Sequence, residues 1–255
     1  MPALFGAYLA NSGCDSGVLV NSRLTRAVRR QTSAHELGHH RLGHSTSVDI
    51  GLGEDPSLDM STAARQWSPD EKAAESFAAW FLMPRRAVLT TMAELGMERI
   101  ASASQVYQLA LHLGTSYAAA VRQLVSLRLI PAADAQTWSR IPPSKFKRHL
   151  AGDLLGTTRD MDVWHLDRGQ QRVLYTSPDD LLVVPAPALV REICGLVEMA
   201  GEDSHSTVLR CGTPSEGPQT ATIDTTGGLI TVVVEPRPQG IDPSALPVPT
   251  LTGNM

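Results

Sequence analysis

The pentapeptide His35-Glu36-Leu37-Gly38-His39 is the strongest indication of how this chain folds. It reads H-E-x-x-H, and on a helix its first and last residues lie about 40° apart, on one face. Two imidazoles placed in this way can bind one metal ion, while Glu36, about 100° further round, can reach a water molecule beside that ion. These groups are the ones that a zinc hydrolase needs. The alternative, an exposed helix with solvated histidines, is less favoured because chance gives only about 0.01 such patterns per chain of this composition.

The residues around this motif support a helix. No proline lies between about Thr25 and Gly43, and four of the eight histidines fall within residues 35–44. A third histidine ligand at offset 10 would match a known zinc-protease spacing, but His44 is at offset 9, a swing of about 100° on a helix. We therefore expect His40 and His44 to surround the metal centre or line the substrate cleft rather than bind the ion.

A second helix is predicted to begin at Ser68-Pro69-Asp70-Glu71 and to end before Pro84. Ser68 is a favourable N-cap, and Pro69 is tolerated at the first helical position. Because zinc needs a third protein ligand, a carboxylate from this helix is a natural candidate.

Spacing alone does not identify that carboxylate. Glu71 and Glu75 lie one turn apart and are equally good candidates, and Glu71 also has a metal-free explanation as part of a capping box with Ser68. Further rivals are Asp49, Asp55, Asp59 and Asp70.

The run from Glu71 to Pro84 resembles the second signature of the ImmA/IrrE family of zinc metallopeptidases. That signature is a glutamate, an Asn or Asp four residues later, Phe-Ala-Ala and Leu-Met-Pro; the chain has Phe77-Ala78-Ala79 and Leu82-Met83-Pro84. The stretches His35–His44 and Leu113–Tyr117 also resemble this family, and the resemblance covers about residues 6–130. The chain departs from the signature at Glu75, which stands where Asn or Asp is usual and can tune the site or compete as a ligand.

The resemblance implies a zincin-like, gluzincin-type metallopeptidase domain with a helical bundle. It assigns zinc to His35, His39 and Glu71, and the catalytic base to Glu36. It also implies a specific protein target inside the cell, often a helix-turn-helix repressor, and hence a role in regulating stress responses. The oxyanion of the reaction needs a further donor, for which His40, His44 and Tyr8 are unranked candidates.

The composition of the chain argues against several other classes of protein. The chain has 255 residues, a net charge of −4 and three scattered cysteines. Such a chain is a poor nucleic-acid binder and has no disulfide framework. No apolar run reaches the roughly 18–20 residues that span a bilayer. We therefore predict a cytoplasmic protein with no membrane partner and no direct contact with nucleic acid.

The predicted fold class is α+β. Residues 1–130 form the metallopeptidase domain, residues 131–162 a linker or helical connection, and residues 163–235 a small, mainly β domain of unknown role with one helix at 188–200. Residues 236–255 are rich in proline and predict a disordered tail. Residues 17–21 predict a strand whose edge could pair with a substrate.

Two other functions compete with the peptidase. A catalytically silent regulator could keep the fold, although it would have no need for Glu36. Residues 106–130 also resemble a helix-turn-helix in outline, but an ordinary core hairpin is the favoured explanation.

Overall fold

The computed structural model describes residues 3–11, 15–51, 67–152, 161–166 and 172–237. The predicted proline-rich tail beyond residue 237 and the rival ligands Asp55 and Asp59 lie outside these ranges. The mixed α+β class is confirmed, whereas the zincin-like arrangement and the domain boundaries stay predictions.

The N-terminal region combines a small sheet with helices. The strands β1 (Ala3–Leu9), β2 (Gly17–Val20) and β3 (Ser47–Gly51) form an antiparallel sheet in the order β2-β1-β3. Helix α1 (Arg26–Leu42) packs against β1 and β2. The helices that follow are α2 (Pro69–Leu82), α3 (Arg85–Glu94), α4 (Ala103–Leu113), α5 (Tyr117–Ser126), α6 (Ala132–Trp138) and α7 (Pro143–Ala151).

Local sequence accounts for where these helices begin and end. Ser68 and Ser102 act as N-caps, because their hydroxyls accept hydrogen bonds from the third residue that follows each of them. Helix α1 ends at Gly43, which has a φ of 70°. Helices α4 and α5 bury their apolar faces, as expected of a core hairpin. No helix in the described ranges is long and apolar enough to cross a membrane.

Strands dominate the chain after α7. One sheet contains β4 (Val163–His165), β6 (Leu181–Pro185), β8 (Val197–Glu202) and β9 (Ser206–Cys211), in the order β4-β6-β9-β8. The other contains β5 (Arg172–Thr176), β7 (Val190–Cys194), β10 (Gln219–Thr225) and β11 (Gly228–Val234), in the order β5-β11-β10-β7. β6 is buried on both faces, which explains its uninterrupted apolar run at Leu181–Val184.

The helix predicted at residues 188–200 is wrong, because this segment forms β7 and β8. Between the two strands, Gly195 has a φ of 90°, and a Cβ at this position would lie 2.8 Å from the carbonyl oxygen of Thr220. A glycine in this left-handed conformation ends β7 and lets the chain turn into β8, so β7 can pair with β10 and β8 with β9.

The region predicted as a linker contributes to the core. The ring of Phe146, on α7, lies 5.8 Å from that of Tyr107 and 5.3 Å from that of Tyr117, measured between centroids. A single cluster of buried apolar side chains extends from Ala27 on α1 to Val234 on β11. The helices and the C-terminal strands therefore share one hydrophobic core.

A buried polar group also joins these two regions, and we call it the interface cluster: Tyr107, Lys147, Asp162 and Asp180. The Lys147 ammonium lies 3.2 Å from the Asp162 carboxylate, which also accepts a 3.3 Å hydrogen bond from the Tyr107 hydroxyl. Asp180 accepts hydrogen bonds from the backbone N–H of Asp162 at 2.8 Å and from the Trp164 indole at 3.3 Å. Every member thus has a partner.

Candidate metal centre

A close approach of α1 to α2 brings the predicted ligands together. Gly38 faces Ala74 on α2, and a Cβ at Gly38 would lie 3.0 Å from both the Cα and the carbonyl oxygen of Ala74. Any larger residue at position 38 would therefore push the helices apart. Gly38 lies inside the H-E-x-x-H motif, so the motif contains the residue that sets the helix spacing as well as two of the candidate ligands.

Three donor atoms converge at this contact. His35 Nε2 lies 3.1 Å from His39 Nε2 and 3.0 Å from Glu71 Oε2, and His39 Nε2 lies 3.4 Å from Glu71 Oε1. Donors bound to one tetrahedral zinc ion at about 2.0–2.1 Å lie about 3.3 Å from one another. The three donors therefore fit a zinc ion in both chemistry and spacing.

Glu36 differs from every other acid in this region. Its side chain is fully buried, and neither carboxylate oxygen has a hydrogen-bond partner within the described ranges. Burial, together with the charges of Asp49 and Glu71, raises its pKa to about 7, although His35 opposes the shift. Gly6 makes room for this carboxylate, since a Cβ there would lie 2.7 Å from Glu36 Oε1. A buried carboxylate with unpaired oxygens is suited to accept a proton from water.

Comparison with known families agrees with this geometry. Residues 15–125 match a peptidase family model described as the IrrE N-terminal-like domain. This part of the chain is similar to that domain. The resemblance to the ImmA/IrrE family is thereby confirmed, and it implies a metallopeptidase-type function with a protein substrate and a metal. Searches of curated proteins and of solved structures found no match to the chain.

Within the IrrE-like domain, Glu71 and Glu75 contact different atoms of the same histidine. Glu71 faces His35 Nε2, whereas Glu75 Oε2 lies 3.5 Å from His35 Nδ1. Glu75 also accepts a hydrogen bond from Arg122 and a 3.3 Å hydrogen bond from Gln31. Because Glu75 is on the far side of the ring, it is placed to orient His35 rather than to join the three donors.

The pKa values of the two histidines are shifted in opposite directions. Burial lowers the pKa of His35, but the hydrogen bond and charge of Glu75, with the charges of Asp49 and Glu71, raise it overall to about 9. Burial lowers the pKa of His39; the Glu71 carboxylate opposes this shift, and His35 and His44 add to it. Near neutral pH these shifts favour a neutral His39 and a protonated His35, and a histidine must be neutral to bind a metal.

The other predicted residues surround this centre. His44 Nδ1 lies 3.0 Å from His39 Nδ1, and the far nitrogen of His44 lies 3.7 Å from Asp70. The buried ring of Tyr8 stacks on His39 with 6.4 Å between centroids, and its hydroxyl lies 3.5 Å from His40 Nδ1. Asp70, one of the rival ligands, thus contacts the outer histidine His44.

Asp49, one of the rival ligands predicted from the sequence, lies next to the centre. It lies on β3, opposite Gly6 on β1, and its carboxylate forms a second convergent group with His35 and Glu36. Burial raises its pKa, with a further contribution from Glu71 and Glu75. Side chains alternate between the two faces of a strand, so the sequence of β3 could have predicted that Asp49 faces the helices. Its position near Glu36 follows only from the pairing of Asp49 with Gly6 on β1.

Proposed function

We propose that this protein is a zinc-dependent metallo-endopeptidase in which His35, His39 and Glu71 hold the ion and Glu36 is the general base. The observation that carries the proposal is the buried, unpaired carboxylate of Glu36 next to three converging donors. A structural zinc site has no use for such a carboxylate, because it keeps no open position for water.

In the proposed mechanism Glu36 takes part in two successive proton transfers. When bound, zinc supplies the Lewis acidity that polarises a peptide carbonyl and activates water. A carboxylate oxygen of Glu36 accepts the proton of the attacking water and then delivers it to the nitrogen of the leaving amine. A cation beside Glu36 favours the ionised carboxylate, which offsets the effect of burial on its pKa.

The sheet has two edges that could pair with an extended substrate. The sequence prediction chose β2, yet the strand order also leaves β3 at an edge. A carboxylate oxygen of Asp49, on β3, lies within 4.8 Å of donor atoms of Glu36 and His35. We therefore favour β3 as the strand that a substrate lies along.

The proposed substrate is a specific protein in the cytoplasm, a helix-turn-helix repressor whose cleavage changes a stress response. Membranes and nucleic acid are not proposed partners. A catalytically silent regulator is the second candidate, but no observation at the site favours it.

The test begins with the metal content of the purified protein. We expect one zinc ion per chain, and its loss in the Glu71→Ala variant because two histidines alone give an incomplete site. Full zinc retention in that variant would transfer the ligand role to Glu75 or Asp49. The second step incubates the protein with the regulator encoded by the neighbouring gene. Cleavage that stops with a chelator and returns with added zinc is the expected result, whereas binding without cleavage would favour the silent regulator.

A further inference from the structure

Glu75 has different partners at its two carboxylate oxygens. Oε2 accepts a hydrogen bond from Gln31 and faces His35 Nδ1, whereas Oε1 accepts one from Arg122 Nη2. The Glu75 side chain is only 15% exposed, so its charge is largely removed from water. A buried carboxylate of this kind needs a compensating cation.

Arg122 supplies that charge from outside the two motif helices. It lies on α5, and among the described partners of Glu75 it is the one that is always charged. Its guanidinium also lies 5.6 Å from the ring centroid of Trp67, just before the start of α2. This cation–π contact holds the guanidinium over the beginning of the helix that carries Glu71 and Glu75.

Gln31 completes the arrangement on the other side. The hydroxyl of Thr115 donates a 2.7 Å hydrogen bond to Gln31 Oε1, which directs the amide nitrogen of Gln31 towards Glu75. Both Gln31 and Thr115 are buried. Gln31 on α1 and Arg122 on α5 thus hold Glu75, Thr115 orients Gln31, and the other polar contact of Glu75 among the described residues is with His35.

We propose that Arg122 is a positioning residue of the metal centre, acting through Glu75 to hold His35 Nε2 towards His39 and Glu71. The inference rests on the proposed function, because it assumes that these three residues bind zinc. A carboxylate on the far nitrogen of a ligand histidine fixes the orientation of its ring. Without Arg122, the Glu75 carboxylate has lost its salt-bridge partner and can move towards the metal instead of holding the ring.

The test measures zinc affinity by competition with a chelator. Loss of a group that orients a ligand typically weakens metal binding about 10- to 100-fold, and we expect a loss of this size in Arg122→Gln. The absorption spectrum of the cobalt-loaded protein should change too, since it reports the ligand geometry. Arg85→Gln is the matched control: Arg85 donates to the backbone carbonyl of Leu127 at 2.7 Å and should leave zinc affinity unchanged.

A double variant shows whether Arg122 acts through Glu75. In the Glu75→Gln background the buried charge is gone, so adding Arg122→Gln should weaken zinc binding by less than about twofold. A purely structural role of Arg122 predicts the same loss in both backgrounds, and that result would overturn the inference.

Two further outcomes are decisive. If the unmodified protein binds no zinc, the proposed function itself fails; if it binds zinc and Arg122→Gln binds equally tightly, only the role of Arg122 fails. Should Arg122→Gln not fold, Arg122→Lys keeps the charge with a different donor geometry. We expect Arg122→Lys to fold and to stay within about tenfold of the normal zinc affinity; a folded lysine variant without zinc would contradict a role for this charge.

Discussion

The metal cluster (His35, Glu36, His39 and the half-buried Glu71) and the buried interface cluster differ in how their polar atoms are paired. In the interface cluster, Asp180 accepts hydrogen bonds from two backbone N–H groups and from an indole. In the metal cluster, both oxygens of Glu36 lack a partner among the described residues. A saturated cluster holds two parts of a fold together, whereas an unsaturated one has atoms available for a ligand or for water.

The pKa values of the buried acids do not distinguish the metal cluster from the interface cluster. The pKa is raised to about 7 for both Glu36 and Asp180. Burial is the main cause in each case, with neighbouring acids adding to it, and in Asp180 the accepted hydrogen bonds oppose the shift. A raised pKa alone would therefore suggest two active sites, while the unpaired oxygens indicate one.

Substitution of Glu36, in the metal cluster, should have the strongest effect on activity. Glu36→Gln keeps the size of the side chain but removes the base, so peptide cleavage should fall roughly 100- to 10,000-fold. Because the carboxylate acts on water rather than on the metal, zinc content and folding should not change. The measurement is cleavage rate with parallel metal analysis, and normal cleavage by this variant would sink the mechanism.

A substitution in the interface cluster should instead lower the stability of the fold. Lys147→Met leaves Asp162 buried without its cation, which typically destabilises a protein by about 3–5 kcal/mol. Denaturant unfolding measures this loss, and zinc content under native conditions should stay normal. In the double variant Lys147→Met/Asp162→Asn the uncompensated charge is absent, so part of the stability should return. Loss of zinc together with normal stability would reverse the roles of the two clusters.

The sequence predicted the elements that depend on local signals. Helix α1 was expected between about Thr25 and Gly43 and spans Arg26–Leu42, while α2 begins at Pro69 behind its Ser68 cap, as predicted. These boundaries were predictable because caps and helix-ending glycines act within a few residues. The convergence of His35 and His39 follows from the helical repeat alone.

The features that the sequence did not predict depend on tertiary contacts. The turn at Gly195 requires its close approach to Thr220, 25 positions further along the chain, which no local pattern encodes. Asp49 lies near Glu36 only because β3 pairs with β1, and Arg122 contacts Glu75 only because α5 packs against α2. Long-range packing thus determined which carboxylate faces which nitrogen of His35.

The interface cluster should also show a pH dependence. Asp180 has a pKa of about 7 when folded, against an ordinary value of 3.8. Between these values the folded state binds more protons than the unfolded state, so its contribution to stability falls as the pH rises, by at most about 4 kcal/mol. Asp180→Asn should flatten the dependence of unfolding free energy on pH between about 4 and 7. Equal slopes in the two proteins, both measured with a chelator, would contradict this assignment.

The smallest effect tests whether the metal cluster depends on local helix structure. Ser68 caps α2 three residues before Glu71, and its hydroxyl accepts a 3.2 Å hydrogen bond from the Glu71 N–H. Ser68→Ala should lower stability by about 1 kcal/mol and allow the first turn of α2 to fray. Because Glu71 lies in that turn, we also expect zinc affinity to fall by up to about fivefold.

Ser102→Ala provides the matched comparison for this last change. Ser102 caps α4 in the same way, with a 3.3 Å hydrogen bond from the N–H of Gln105, but α4 carries no member of the metal cluster. Its loss should cost a similar amount of stability and leave zinc affinity unchanged. If both variants weakened zinc binding equally, general stability rather than the first turn of α2 would control the site. If neither did, Glu71 would be held by its contacts with His35 and His39 independently of its cap.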